Sequence, residues 1–223
     1  MGHPSSFVTS PSAPPIFQTT AFDIPDVGVL EQIYSGTLDG HIYTRDSNPN
    51  HCALADSLAS MERAEAGAVF SSGMGAIASI VLSMVSAGDH VLVSQSLYGR
   101  SLQLFRRLQT QFQIQVTEVG VTDFPHVAEQ IRPETRLCLT ESISNPLLEV
   151  ADIAELSQTL GSVPLIVDNT FTTPELLRPL EHGAYAVVHS ASKYLNGHGD
   201  VMLGIAAGPQ QLMSDAMETA SLF

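Results

Sequence analysis

Leu165-Ile-Val-Asp-Asn-Thr-Phe-Thr-Thr-Pro174 and Ala186-Val-Val-His-Ser-Ala-Ser-Lys-Tyr-Leu-Asn-Gly-His198 share one form, a short apolar run that ends in polar residues. Such runs read as buried parallel strands meeting their loops. The stretch from Pro174 to Gly183 between them is long enough for one crossover helix, opened by Pro174 and closed by Gly183. A right-handed strand–helix–strand unit returns the chain to the same edge of its sheet. Asp168 and Lys193 are therefore expected together at the carboxyl edge, where open α/β sheets bind ligands.

The same pattern repeats outward from this unit. Strand-like runs occur at Ala68–Phe70, His90–Val93, Ile114–Val119, Leu137–Thr140 and Gly204–Ala207. Helical spacing separates most of them, over Asn50–Ala64, the apolar stretch after Ser71, Gly99–Phe112, Val127–Arg132, Ala151–Leu160 and Pro209–Leu222. This alternation predicts an α/β fold, a mostly parallel sheet with helices on both faces, spanning residues 49–223. Residues 1–15 are rich in Pro and Ser and read as an extended or mobile arm. From Ile16 to Asn50 there is little periodicity, a stretch long enough that a function or a partner is expected to pin it. The expected division is an arm over 1–48 and one domain over 49–223.

Composition narrows the partners. A formal net charge of −14 over 223 residues argues against nucleic acid and anionic membrane. Only nine residues are Lys or Arg, so a basic side chain near an anion site stands out. Two cysteines make no disulfide framework, and Cys52 and Cys138 are both expected to pack as small hydrophobes. The N-terminus lacks a charged segment followed by an apolar core, and the apolar run over 76–85 is too short to span a bilayer, so a reduced cytoplasm is expected. His182, His189 and His198 do not fall on one helix face, and no metal site is expected.

The candidate chemistry gathers at predicted strand ends. Ser71-Ser-Gly-Met-Gly75 joins a strand to a helix, so the backbone N–H groups of Gly73 and Met74 would face an anion. The hydroxyls of Ser190 and Ser192 could complete a phosphate cup beneath the Lys193 amine. Partial burial of that lysine would lower its pKa and free it to attack a carbonyl. Asp168 closes an apolar strand, where a carboxylate is costly unless a cation such as a pyridinium N–H sits against it. Tyr98 could stack on a flat ring and offer its hydroxyl for proton transfer. An acid and an amine so placed suit pyridoxal phosphate, the amine forming the Schiff base and the acid holding the pyridine nitrogen protonated.

Ser71-Ser-Gly-Met-Gly-Ala-Ile77, Leu97-Tyr-Gly99, Glu141-Ser-Ile-Ser-Asn-Pro146, Val167-Asp-Asn-Thr-Phe-Thr-Thr-Pro174 and His189-Ser-Ala-Ser-Lys-Tyr-Leu-Asn-Gly-His198 together resemble the Cys/Met-metabolism enzymes that depend on pyridoxal phosphate. The likeness runs in order from about Pro15 to Gly208. It implies an aspartate-aminotransferase-like (fold type I) large domain and elimination or replacement at the β or γ carbon of a sulfur-containing amino acid. It also implies that Lys193 holds the cofactor, Asp168 partners the ring nitrogen, and Tyr98 stacks on the ring. Asn145 would reach the ring hydroxyl, and Gly73, Met74, Ser190 and Ser192 would hold the phosphate. Tyr43-Thr-Arg45 is similar to the family's Tyr-x-Arg, so Tyr43 and Arg45 would serve a neighbouring subunit in a homo-oligomer, a tetramer built as a dimer of active dimers. Ser72-Gly-Met-Gly-Ala-Ile77 and Gly197-His-Gly-Asp200 look most like methionine gamma-lyase. The chain departs from the family pattern at Arg100, where that branch has Cys, at Ile143, where Pro is usual, and at Ser192, where Thr is common. The family's smaller C-terminal domain, with its arginine for the substrate carboxylate, has no counterpart in the 223 residues. Two other readings stay open, a non-catalytic remnant that binds pyridoxal phosphate and a partial chain completed by a partner.

Overall fold

The computed structural model describes residues 12–223, which fall into two compact units meeting between Leu54 and Ala55. The arm expected over 1–15 lies, as far as residue 11, outside the described residues.

The first unit holds a helix that the reading of 16–50 as aperiodic did not foresee. This helix, α1 (Val27–Tyr34), starts where the Asp26 side chain accepts the Val29 N–H at 3.0 Å. Such a cap satisfies one of the four N–H groups a helix start leaves over. The chain around it is tied by an isolated bridge between Ala21 and Tyr43. Asn50 adds two ties, accepting from Phe17 N at 2.8 Å and donating to Pro15 O at 2.7 Å. Helix α2 (Pro49–Glu62) follows, with the Asn48 side chain accepting the Asn50 N–H at 2.9 Å.

In the second unit α2 continues with Ala55, Leu58, Ala59 and Glu62 buried, the spacing of one helix face. Cys52, against expectation, is exposed, because it stands in the first turn before that buried face begins; Cys138 is fully buried in the sheet. The sheet has seven strands, β1 (Ala66–Phe70), β2 (His90–Ser94), β3 (Gln115–Val119), β4 (Thr135–Glu141), β5 (Leu165–Asp168), β6 (Ala186–Ser190) and β7 (Gly204–Gly208). Their spatial order is β1-β7-β6-β5-β4-β2-β3. All pairs are parallel except the two that β7 makes with β1 and β6. The mostly parallel sheet is therefore as the strand–helix alternation predicts.

Side chains along a strand alternate between faces, and the core divides accordingly. Val91, Val93, Leu137, Leu139, Ile166, Ala186 and Val188 pack in one cluster with α3 (Gly73–Met84), α4 (Gly99–Phe112) and α8 (Gln210–Ser221). Leu92, Cys138, Leu165 and Val167 pack in another with α5 (Phe124–Gln130) and α6 (Ile153–Leu160). Near-continuous apolar strands are what burial on both faces requires.

The crossover after β5 is not the single helix expected over 174–183. It is a short helix, α7 (Thr173–Leu176), then a 3-10 turn over Pro179–His182. Pro179 has no N–H to give and forces Arg178 into an extended conformation, at φ −113° and ψ 93°, which interrupts the helix. Gly183 closes the segment at φ 92°, a left-handed position that glycine fills without strain. Among the described residues no helix is long and apolar enough to cross a membrane.

Candidate active site

Strand direction brings the predicted side chains to one edge. β2, β4, β5 and β6 run parallel, and β1 shares their direction because β7 is antiparallel to both β1 and β6. The carboxyl ends of these five strands lead to Gly73, Tyr98, Glu141, Asp168 and Ser190.

Close packing joins α3 to β6. Ser72 caps α3 by accepting the Gly75 N–H at 3.0 Å, which leaves the Gly73 and Met74 N–H groups of this first turn without an intrahelical acceptor. A Cβ placed on Gly73 would lie 2.7 Å from Ser190 Cβ, and one on Gly204 would lie 2.0 Å from Ser72 O. Only glycine fits at either position. Because β7 begins with Gly204, the α3 start can pass over it and reach Ser190. The helix start and the Ser190 side chain thus form one cradle, whose N–H groups and helix dipole favour an anion.

Asp168 ends β5 half-buried. Its Oδ1 accepts the Thr170 N–H at 3.0 Å and the Thr170 hydroxyl, and Thr170 Oγ1 in turn accepts the Ser190 N–H at 2.8 Å. Thr170 is a site residue that the sequence reading quoted within a motif without giving it a role. Burial pushes the Asp168 carboxyl above its usual range, against the downward pull of the Thr170 bonds and of His189. Neither Lys nor Arg pairs with Asp168 among the described residues. A carboxylate whose charge is disfavoured by burial fits a ligand that brings a positively charged N–H.

Lys193 is exposed, in the turn that follows β6, and makes no ion pair among the described residues. The partial burial expected of it is absent because the strand ends at Ser190, three residues earlier. The turn is held by Lys193 N donating to Ser190 O at 3.0 Å and by Gly197 N donating to Lys193 O at 2.8 Å. Ser192 Oγ accepts the Leu203 N–H at 2.8 Å, which pins the far end of the same loop. Tyr98 stands just before α4 and is 46% exposed, so its ring is available to a ligand face. Asn145, also exposed, precedes Pro146 through a cis peptide bond. Tyr43 and Arg45 belong to the first unit, where the Arg45 guanidinium lies 5.2 Å from the Tyr43 ring centre and pairs with Asp46 at 3.4 Å.

Glu141 is the second residue the sequence reading passed over. It ends β4 beside Asp168 in register, and only 8% of it is exposed. Burial pushes its carboxyl up to about 7; the neighbouring Asp168 adds to this, and the N–H groups of Tyr98 and Asn145 oppose it. Behind the site, on the opposite face of β6, His189 Nε2 meets Glu62 Oε1 at 2.7 Å with both side chains fully buried. The cradle of backbone N–H groups, the half-buried acid without a cation and the exposed amine suit an anionic, aldehyde-bearing aromatic cofactor with a basic ring nitrogen.

Comparison with known proteins agrees with this geometry. The family model of the Cys/Met metabolism PLP-dependent enzymes matches residues 2–221. The L-methionine gamma-lyase of Pseudomonas putida is 40% identical over 202 residues, which cover 90% of this chain and 51% of that protein. The O-succinylhomoserine sulfhydrylase of Pseudomonas aeruginosa is 37% identical over 205 residues, 91% of this chain and 51% of that protein. A Campylobacter jejuni structure, described as an O-acetylhomoserine (thiol)-lyase with N'-pyridoxyl-lysine-5'-monophosphate, superposes with a TM-score of 0.85 at 32% identity. It covers 90% of this chain and 50% of that one. The chain spans about half the length of the curated relatives it matches.

Proposed function

The chain belongs to the Cys/Met metabolism PLP-dependent enzymes, and from that premise we propose that it holds the cofactor-binding half of a carbon–sulfur lyase or related transferase. The substrate class is a sulfur-containing amino acid undergoing β or γ elimination or replacement, a reading supported by the L-methionine gamma-lyases among the relatives the chain resembles. The observation that carries the reading is the meeting of Asp168, Ser190 and the α3 start at one sheet edge, with Lys193 in the adjoining turn.

In this reading the Gly73 and Met74 N–H groups and the Ser190 and Ser192 hydroxyls hold the phosphate. Asp168, oriented by Thr170, keeps a proton on the ring nitrogen, and Tyr98 covers one face of the ring. Asn145 reaches the ring hydroxyl. Tyr43 and Arg45 reach the phosphate of a neighbouring subunit in a homo-oligomer, and Arg45 brings one of the nine basic side chains of the chain to that anion. Pyridoxal phosphate, when bound, supplies an electron sink for negative charge at the amino acid's α-carbon. Lys193 Nζ would hold the cofactor and carry the α-proton, with the Tyr98 hydroxyl assisting.

Adding pyridoxal phosphate to the chain is expected to produce the visible absorbance band of a lysine-bound cofactor, and Lys193→Ala is expected to abolish it. A wild-type chain without the band would sink the cofactor reading. Release of ammonia and a 2-oxo acid from methionine, cystathionine or cysteine separates a lyase from a binding remnant.

A further inference from the structure

Glu141 joins two loops that the fold brings together from distant parts of the chain. Its Oε1 accepts the Tyr98 N–H at 2.6 Å, and its Oε2 accepts the Asn145 N–H at 3.0 Å. The first loop leaves β2 and starts α4; the second leaves β4 and carries the cis Asn145–Pro146 bond. Both backbone N–H groups are used by one carboxylate, so neither loop is positioned independently of the other. The carboxylate is itself held, since Glu141 is the last residue of a central strand and is almost wholly buried. A further bond joins the same loops, from the Ser96 hydroxyl to Glu149 Oε2.

We propose that Glu141 is a positioning residue of the active site, a single buried carboxylate that fixes the Tyr98 ring and the Asn145 side chain as one wall against the cofactor. Its site lies beside that of Asp168, because paired residues on neighbouring strands present their side chains on the same face. Leu139 and Ile166, two residues earlier on the two strands, pack together against α3, which puts Glu141 and Asp168 on the α3 side. The charged group that acts on this carboxylate is Asp168 from β5, and Glu149 of the second loop is engaged by Ser96; no Lys or Arg pairs with Glu141 among the described residues. The two N–H bonds therefore carry the burden that an ion pair would carry elsewhere. This role rests on the pyridoxal phosphate reading for its consequence, but the tie between the loops does not.

Amide hydrogen exchange on the chain without cofactor tests the tie. In Glu141→Gln one acceptor oxygen becomes an NH2 group, and in Glu141→Ala both acceptors go. The Tyr98 and Asn145 amides are each expected to exchange about tenfold faster in Glu141→Ala, the effect of losing one hydrogen bond. The Thr170 amide, which Asp168 holds, should stay at its wild-type rate. Unchanged exchange at Tyr98 and Asn145 would overturn the proposal. The wild type needs no variant to test it: the two amide proton shifts should titrate together with one midpoint, and two separate midpoints would overturn it.

Addition of pyridoxal phosphate then tests the consequence. Glu141→Gln should keep a Lys193-dependent absorbance band but bind the cofactor about tenfold more weakly. Its visible circular dichroism should also change, since that signal reports the asymmetric stacking of the ring. Wild-type affinity and dichroism in Glu141→Gln would overturn the positioning role. A wild-type chain with no band would instead overturn the cofactor reading, and the exchange measurements would still decide the tie.

Discussion

The amino ends of the parallel strands and their carboxyl ends treat charge in opposite ways. At the amino end of β2, Asp89 accepts the Ser86 N–H at 2.8 Å and Arg136 Nε at 2.8 Å, and these bonds hold its carboxyl below the usual range. Next to it His90 is fully buried, with Nδ1 2.8 Å from Thr135 Oγ1 and Nε2 2.9 Å from Thr117 Oγ1. Asp89 and His90 both have their partners within the chain. At the carboxyl ends of β4 and β5, Glu141 and Asp168 stand side by side, both pushed upward, and among the described residues neither pairs with a Lys or Arg. A folded protein tolerates such an arrangement where a ligand completes it. The contrast separates an edge whose acid and imidazole are partnered within the chain from the edge where the proposed cofactor site lies.

The comparison can be broken most severely from behind the site. Glu62→Ala would leave His189 buried without its hydrogen-bond partner and would remove a fully buried side chain, a loss expected to reach about 3 kcal/mol. Urea unfolding measures it, and a loss below 1 kcal/mol would mean the pair is not a structural support of the carboxyl edge. Filling the cradle comes next. Gly204→Ala sets a methyl group on Ser72 O, an overpacking expected to cost about 1–3 kcal/mol and to displace α3 from Ser190. Weaker binding of pyridoxal phosphate by this variant at a temperature where it stays folded is the accompanying readout.

Acid–base behaviour sharpens the contrast, because the two edges should respond to pH with opposite sign. The folded pKa of His90 is lowered, by burial first and Arg132 second, from an ordinary 6.5. The unfolded chain thus binds that proton more readily, so the contribution of His90 is present above pH 6.5 and is lost as pH falls toward the folded value. For Glu141 the folded pKa is raised from 4.5 to about 7. Its contribution is present below pH 4.5 and is lost as pH rises through about 7. Unfolding free energies measured from pH 4 to 8 should therefore fall less steeply with rising pH in Glu141→Gln than in the wild type. An unchanged slope would show that Glu141 titrates alike in both states. The smallest effect is at Asp89. Asp89→Asn weakens one surface ion pair, worth up to about 1 kcal/mol, and removes a contribution lost in the wild type only as pH falls below the ordinary carboxylate range.

Much of the architecture was legible because burial on both faces leaves a plain signal in a strand, an apolar run such as Leu165-Ile-Val167 closed by a polar residue. What escaped had weaker or competing signals. Helix α1 carries its own cap at Asp26 with Leu30 and Ile33 at helical spacing, but the many turn formers around it obscured eight residues of helix. The split crossover was readable from Pro179, whose effect on Arg178 is local and steric. Glu141 could have been found by the argument applied to Asp168, since both are acids closing an apolar strand. Its partners could not, because the bonds to Tyr98 and Asn145 span 43 and 4 residues and depend on where two loops fold back. The exposure of Lys193 was also hidden, since it turns on where β6 stops.

By itself the sequence determined the alternation of strands and helices, and with it the edge at which Asp168, Ser190 and Tyr98 would stand, because strand polarity follows from chain direction and crossover handedness. Tertiary structure alone decided which of those strand ends are neighbours. The antiparallel β7 enters between β1 and β6, and the lack of a side chain at Gly73 and Gly204 lets the α3 start lie against Ser190. Register places Glu141 beside Asp168. Contacts of that kind come from packing between segments far apart in the chain, where no local pattern records them.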